Sequence, residues 1–248
     1  MTILNMIRYT YMMYLFLITL ASCNYSNGKK VLLFDDFESY SLGETPNGDW
    51  KTEGNVVVDT TRVFSGHKAL KFVSGEGYVN RAFAKYAAMF PVAKNTYYGS
   101  MMLYVDKASP DGVHWTIIQG SGKVKDEDYS AEVRFGGQHH KKLMANYDTQ
   151  GIRSDCWQHS EFIIPEGEWT QYQWYFNGTT NTMKLWVNGT LIEELTVVQQ
   201  GSGCVSNENN DQWIFPVFDT QTIGWVDYQT GGGQRHLWID DVMFWVEE

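Results

Sequence analysis

The sequence predicts an all-β protein, a two-sheet antiparallel jelly roll. Short runs of β-branched and aromatic residues recur along the chain and are separated by turns rich in Gly, Asn and Ser. Trp (10 residues) and Tyr (15 residues) are abundant, and two packed sheets need such side chains between them. No convincing helical pattern of apolar residues occurs, and residues 81–90 offer only a weak one. The length of 248 residues fits one large β domain.

The clearest element pattern spans residues 168–195. Residues 169–176 alternate between two faces, Asn177-Gly178 begins a turn, and residues 183–187 run back. Asn188-Gly189 is typical of a tight primed hairpin turn, after which Leu191-Ile192 begins another strand. This order predicts an antiparallel meander. Further strands are expected at 31–34, 56–58, 69–73, 96–105, 113–119 and 237–246.

Residues 1–22 indicate a secretory signal, with a basic start followed by an apolar run too short to span a membrane. The run ends in Leu20-Ala21-Ser22-Cys23, which resembles a bacterial lipobox, so we expect lipidation at Cys23; a plain signal that happens to contain a Cys is the alternative. The expected division is a signal over 1–22, a tether over 23–30 and one domain over 31–248. The expected location is a bacterial cell envelope, at the outer membrane or cell surface, with the lipid as the only membrane contact.

The net charge restricts the kinds of ligand that the protein can bind, and the cysteine count leaves one possible disulfide. The whole chain has a net charge of −10, and removing residues 1–22 with their single Arg8 makes it −11, which disfavours nucleic-acid binding. An anionic ligand would therefore need a locally basic site. If Cys23 is lipidated, Cys156 and Cys204 are left as a possible disulfide pair, although the sequence does not show that they meet.

Residues 129–150 predict a β-hairpin with crowded polar side chains. Glu132 and Arg134 are two apart and share a face, and on the return strand Tyr147 and Ala145 share a face. The alternative is an ordinary solvated sheet face. Among the aromatic residues most are expected in the core, but Trp225 and Tyr228 lie beside a Gly-rich loop and are expected to be accessible to a sugar.

Six motifs in fixed order make the chain resemble a known family. The order and spacing are similar to those of the fungal cellulose-induced secreted jelly-roll proteins, which themselves resemble glucuronan lyases. The resemblance implies a concanavalin A-like jelly roll, and the Glu132-Val133-Arg134 strand and Tyr147 look similar to strands of more distant alginate lyases. The motifs are DDFE (35–38), VDTTRVFSGHKALKF (58–72), VRFGGQ (133–138), LWVNGTLI (185–192), IGWVDY (223–228) and LWIDD (237–241).

The resemblance implies a lyase that cleaves an acidic, uronate-containing polysaccharide, and a structural calcium ion. β-Elimination needs a group that neutralises the uronate carboxylate, a base for the C5 proton and an acid for the leaving oxygen. Arg134 and Gln138 fit the first task. Tyr147 fits acid or base, His114 matches a family His and fits the base, and Asp155 aligns with an acidic cleft residue. The implied calcium positions are Glu38, Ser65, Lys68 through its carbonyl oxygen, and Asp240; without the resemblance, the acidic residues would be strand-end charges facing water.

Departures from the family pattern leave questions open. Glu132 replaces a His of the fungal motif, which is unhelpful beside a carboxylate unless it orients Arg134 as an ion-pair partner. The inserted residues 139–142 include His140 and Lys142, which either contact a polyanion or form a solvated hairpin tip; a zinc site there is disfavoured. The alternative function is a non-catalytic carbohydrate-binding protein, and a glycoside hydrolase ranks below both. A monomer is expected.

Overall fold

The predicted all-β architecture is confirmed. The structure, a computed structural model, describes residues 28–149, 154–205 and 210–248. Its strands are β1 Lys29–Asp35, β2 Trp50–Glu53, β3 Asn55–Asp59, β4 Ala69–Ser74, β5 Ala82–Tyr86, β6 Thr96–Val105, β7 Trp115–Lys123, β8 Ser130–Gly137, β9 Lys142–Thr149, β10 Asp155–Ile163, β11 Trp169–Asn177, β12 Thr182–Val187, β13 Thr190–Leu191, β14 Val197–Val198, β15 Gly203–Val205, β16 Val217–Asp227 and β17 Arg235–Glu247. Short 3-10 helices occupy Tyr78–Asn80, Ala93–Asn95, His139–Lys141 and Glu193–Leu195.

The strands form two antiparallel sheets. The first runs β13-β12-β11-β6-β17-β4-β3, with β1 also paired to β17 and β14 to β12. The second runs β15-β10-β9-β8-β7-β16-β5-β2. Consecutive hairpins such as β8-β9 alternate in both sheets with pairs of strands that are distant in sequence, such as β6-β17 and β7-β16, as in a jelly roll.

The core lies between the two sheets and is built largely from side chains that alternate in direction along their strands. On β11, Tyr172, Trp174 and Phe176 are buried, as the predicted two-faced pattern requires. Gly99 on the paired strand β6 leaves room for the Trp174 ring, since an added Cβ there would overlap it. The indole N–H, the one polar group of the Trp174 side chain, donates a hydrogen bond to Gln221 Oε1 at 3.1 Å.

The predicted meander is confirmed, and the weak helical pattern over residues 81–90 does not form a helix. Asn188 and Gly189 both have positive φ, 50° and 76°, as a primed turn requires, and they join β12 to β13. Residues 81–90 contain β5, not a helix, because Ala82–Tyr86 pair with β16 on one side and β2 on the other. Tertiary pairing outweighs local propensity here.

Candidate functional site

The β8–β9 hairpin places a polar cluster on the outer face of the second sheet. Residues directly opposite each other in an antiparallel pair point to the same side. Arg134 pairs with Asn146 and Glu132 with Asp148, so these four side chains share one face. Across the next pairing, Asp155 lies opposite Asp148, which extends the same face onto β10.

Arg134 is the centre of this cluster and is only 6% exposed. Its guanidinium donates to Asn146 Oδ1 at 3.0 Å, to Asp148 Oδ2 at 2.9 Å and through Nε to Glu132 Oε2 at 3.0 Å. Burial acts to lower the pKa of Arg134, but the neighbouring Tyr228, Glu132 and Asp148 outweigh burial and raise it. The guanidinium is therefore a permanent cation held rigidly by the protein's own acids.

An aromatic group lies against the guanidinium. The Tyr228 ring centroid is 5.5 Å from the Arg134 guanidinium carbon and 4.7 Å from the His114 ring centroid. The Tyr228 hydroxyl is 3.3 Å from the Thr116 hydroxyl, and the exposed Tyr78 ring stacks on Tyr228 at 5.8 Å. Arg134 on β8, His114 just before β7 and Tyr228 just after β16 thus form a contiguous group.

Burial sets the protonation of the two titratable rings. It lowers the pKa of His114 to about 4, with Arg134 adding to the effect, so the imidazole is neutral at neutral pH. Burial raises the pKa of the Tyr228 phenol, and Arg134 offsets only part of that rise, so the phenol keeps its proton. A neutral imidazole can accept a proton and a neutral phenol can donate one.

Two adjoining cavities open on this face. The larger, about 500 Å³, is lined by Arg134, Glu132, Asp148, Tyr228 and Tyr78 among others. The smaller, about 240 Å³, is lined by His114, Gln138, Met144, Asn146, Asp155 and Trp157. The predicted residues Arg134, Gln138, His114, Asp155, Glu132 and Tyr228 therefore all reach this surface.

Tyr147 and Trp225 do not reach it, and both predictions of access are wrong. Tyr147 pairs with Val133, on the opposite side of the sheet from Arg134, and is fully buried with its ring stacked near Trp213 at 6.0 Å. Trp225 is also fully buried and stacks on Trp115 at 4.7 Å. Both rings belong to the core, so neither can contact a ligand on the outer face.

The hairpin tip is engaged in local contacts. The His140 backbone N–H donates to Asp111 Oδ1 at 2.9 Å, and the imidazole is 3.8 Å from the other Asp111 oxygen. Lys142 pairs with Glu161 at 2.5 Å. Neither side chain lines the two cavities. These contacts favour the interpretation of residues 139–142 as a solvated hairpin tip over direct contact with a ligand.

Cys156 and Cys204 form the expected disulfide. They lie opposite each other on β10 and β15, with their Cα atoms 3.9 Å apart. Cys156 is fully buried, on the core side next to Tyr147. The bond fixes the short edge strand β15 beside the site-bearing strand β10.

Four residues that line the two cavities were not predicted from the sequence as site residues: Asn146, Asp148, Trp157 and Tyr78. For Asn146 and Asp148 the signal was present, because a hairpin closed by residues 138–141 puts the even-numbered positions of both strands on one face. Tyr78 gave no local signal, since it arrives from a 3-10 helix before β5 and is brought close only by tertiary packing.

The sequence and the fold have counterparts among known proteins. The family model described as polysaccharide lyase-like, Cip1-like core domain, matches residues 34–246. The chain belongs to this Cip1-like family. The membership supports a role connected with polysaccharides.

Two solved structures are similar to this Cip1-like chain. A cellulose-induced protein, Cip1, is 23% identical with a TM-score of 0.61, covering 86% of this chain and 96% of that one. An endo-β-1,4-glucuronan lyase from the fungus Trichoderma reesei is 14% identical with a TM-score of 0.58, covering 87% and 95%. At these identities the likeness shows the fold alone. No curated protein matches the chain.

The expected location in a bacterial cell envelope is wrong: the similar solved structures include a lyase from the fungus Trichoderma reesei, which conflicts with a bacterial lipid-anchored location. Cys23 and the proposed signal over 1–22 lie outside the described residues. Within the described ranges, no helix is long and apolar enough to cross a membrane. The domain division and the monomeric state stay predictions.

The four residues expected to bind calcium in this Cip1-like chain meet at one corner, where their polar groups bond to one another and to the backbone. Glu38 Oε1 accepts the backbone N–H of Lys68 at 2.7 Å, and Asp240 Oδ2 accepts that of Ser65 at 3.1 Å. The Lys68 ammonium itself lies on two backbone carbonyls. In the parts of the chain that the structure describes, no group of three or more acidic, His or Cys side chains could hold a metal.

Proposed function

We propose that the protein cleaves a uronate-containing polysaccharide by β-elimination at the Arg134 face. The observation that carries the proposal is the contact between Tyr228 and both His114 and Arg134, which groups a base, an acid and a cation. Its membership of a polysaccharide lyase-like family supports the same reading.

The two rings suit the two proton transfers. His114 is neutral above about pH 4 and serves as the base that takes the C5 proton. Tyr228 keeps its proton and serves as the acid that donates to the departing 4-linked oxygen. In this arrangement the phenol role belongs to Tyr228 and not to the buried Tyr147.

Carboxylate stabilisation is the demanding step. Arg134 supplies the positive charge, and Gln138 lines the adjoining cavity with His114, where its amide can donate to a carboxylate oxygen. Glu132 orients Arg134 through the hydrogen bond to Nε, as an ion-pair partner should. The Trp157 ring in the same cavity offers an apolar face for a sugar.

The test is elimination measured by absorbance near 235 nm on polyglucuronate, alginate and neutral glucans. We expect new absorbance only on a uronate polymer, and loss of about 10²-fold or more in kcat for His114→Ala and Tyr228→Phe. Tyr175→Phe, a half-buried tyrosine on the other sheet, is the matched control and should retain full activity. Full activity in Tyr228→Phe would refute the assignment of the acid.

A non-catalytic carbohydrate-binding role is the second candidate, favoured by one specific observation. Arg134 already donates to Glu132 and Asp148, and Asp155 lies on the same face, so acids outnumber the cation there. Such a face repels a polyanion and suits a neutral glycan. Saturable binding of a neutral glucan with no absorbance on any uronate polymer would establish this role and exclude the lyase.

A further inference from the structure

The corner that joins the turn after β1 to the segment before β4 holds an internal cation. Lys68 Nζ donates to the backbone carbonyl oxygens of Glu38 at 2.7 Å and Tyr40 at 2.8 Å. Converging carbonyl oxygens beside carboxylates are the usual environment of a hard cation. Here a covalently attached ammonium group occupies that environment.

The carboxylates next to this ammonium group accept hydrogen bonds from backbone N–H groups. Glu38 Oε1 accepts the N–H groups of His67 at 2.6 Å and Lys68 at 2.7 Å. Asp240 Oδ2, in a fully buried side chain, accepts the N–H groups of Phe64 at 3.0 Å and Ser65 at 3.1 Å. Residues 64–68 are thereby fixed between the turn after β1 and strand β17.

We propose that Lys68 replaces the structural calcium that the family resemblance implies, so that the stability of this domain does not depend on a divalent cation. The stabilisation that a bound ion gives a fold depends on its free concentration relative to its dissociation constant and is lost when the ion is removed. An ammonium on the chain is always present. It also ties β4 to the turn after β1 without needing the carboxylates as ligands.

Thermal unfolding of the whole domain tests the proposal, measured in excess EGTA and in excess CaCl2. We expect the two Tm values to agree within about 1 °C. Lys68→Met should lower Tm by at least about 5 °C, since it removes two charge-assisted hydrogen bonds from a half-buried corner. Lys85→Met is the matched control: its half-exposed ammonium pairs, among the described residues, with one carboxylate, Glu53, at 2.8 Å and contacts no converging carbonyls, and its Tm should change by about 2 °C or less.

Two results would overturn the proposal. One is a clear rise of the unmodified protein's Tm with CaCl2 or a fall with EGTA. The other is a Lys68→Met variant that behaves like Lys85→Met. If Lys68→Met does not fold, Lys68→Arg takes its place: retaining a cation, it should fold with a Tm that EGTA does not alter, and EGTA sensitivity in it would equally overturn the proposal.

Discussion

Removing the Cys156–Cys204 disulfide should cost a large part of the stability of the fold. The bond joins residues 48 apart in sequence. A chain-entropy estimate for a loop of that size gives about 4 kcal/mol of stabilisation at 25 °C. Domains of this kind have total stabilities of about 5–15 kcal/mol, so the loss would be easy to detect.

The assay is equilibrium urea unfolding of the native protein and of the Cys156→Ala/Cys204→Ala double variant, with the bond in the native protein verified by mass spectrometry. Native protein in reducing buffer is the control: it separates the loss of the crosslink from the loss of the two sulfur atoms. A double variant within about 1 kcal/mol of the oxidised native protein would refute the reasoning, because the unfolded chain would then gain little freedom from cleavage of the bond.

Three further predictions concern the site and the core. The lowered pKa of His114 means that the unfolded state binds the proton more readily than the folded state, so stability should rise with pH between about 4 and 6.5, and NMR titration should place the His114 midpoint near 4. Tyr147→Phe should leave elimination on polyglucuronate unchanged, measured beside Tyr228→Phe, and a loss equal to that of Tyr228→Phe would return Tyr147 to the site. Gly99→Ala should destabilise the domain by about 1–3 kcal/mol in urea unfolding, since the added methyl group overlaps the Trp174 ring; an unchanged midpoint would show that the ring can move aside.

Much of the fold could be predicted because its signals are local. Alternation fixes the two faces of β11, and Asn188-Gly189 fixes the turn that follows β12. The disulfide could be proposed from cysteine count, but only the pairing of β10 with β15 shows that the sulfurs meet. Strand β5 was not predicted from the sequence, because β16, with which it pairs, is far away along the chain.

The site could be predicted only in part, because the register of paired strands depends on residues that are far apart in sequence. Arg134 was identified from its motif, but Tyr147 was assigned to the same site without a strand register, and one step of register moves a side chain to the opposite face. Trp225 and Tyr228 are three positions apart, so alternation places them on opposite faces of the sheet, and the expectation that both are accessible did not take this into account. Once the register of β8 against β9 is known, Asn146 and Asp148 can be identified as the hydrogen-bond partners of Arg134.

The Lys68 corner and the Arg134 face belong to different sheets, and this separation allows the two to change independently. Sheets that pack face to face lie about 10 Å apart, and the Arg134 cluster lies on the side of its sheet away from the other one. Substitutions at that separation with no shared contacts usually combine additively. Substitutions that change the ligand preference of the Arg134 face should therefore leave the Lys68 corner intact, so that the heat resistance of the domain can be raised at the corner first and the face diversified afterwards.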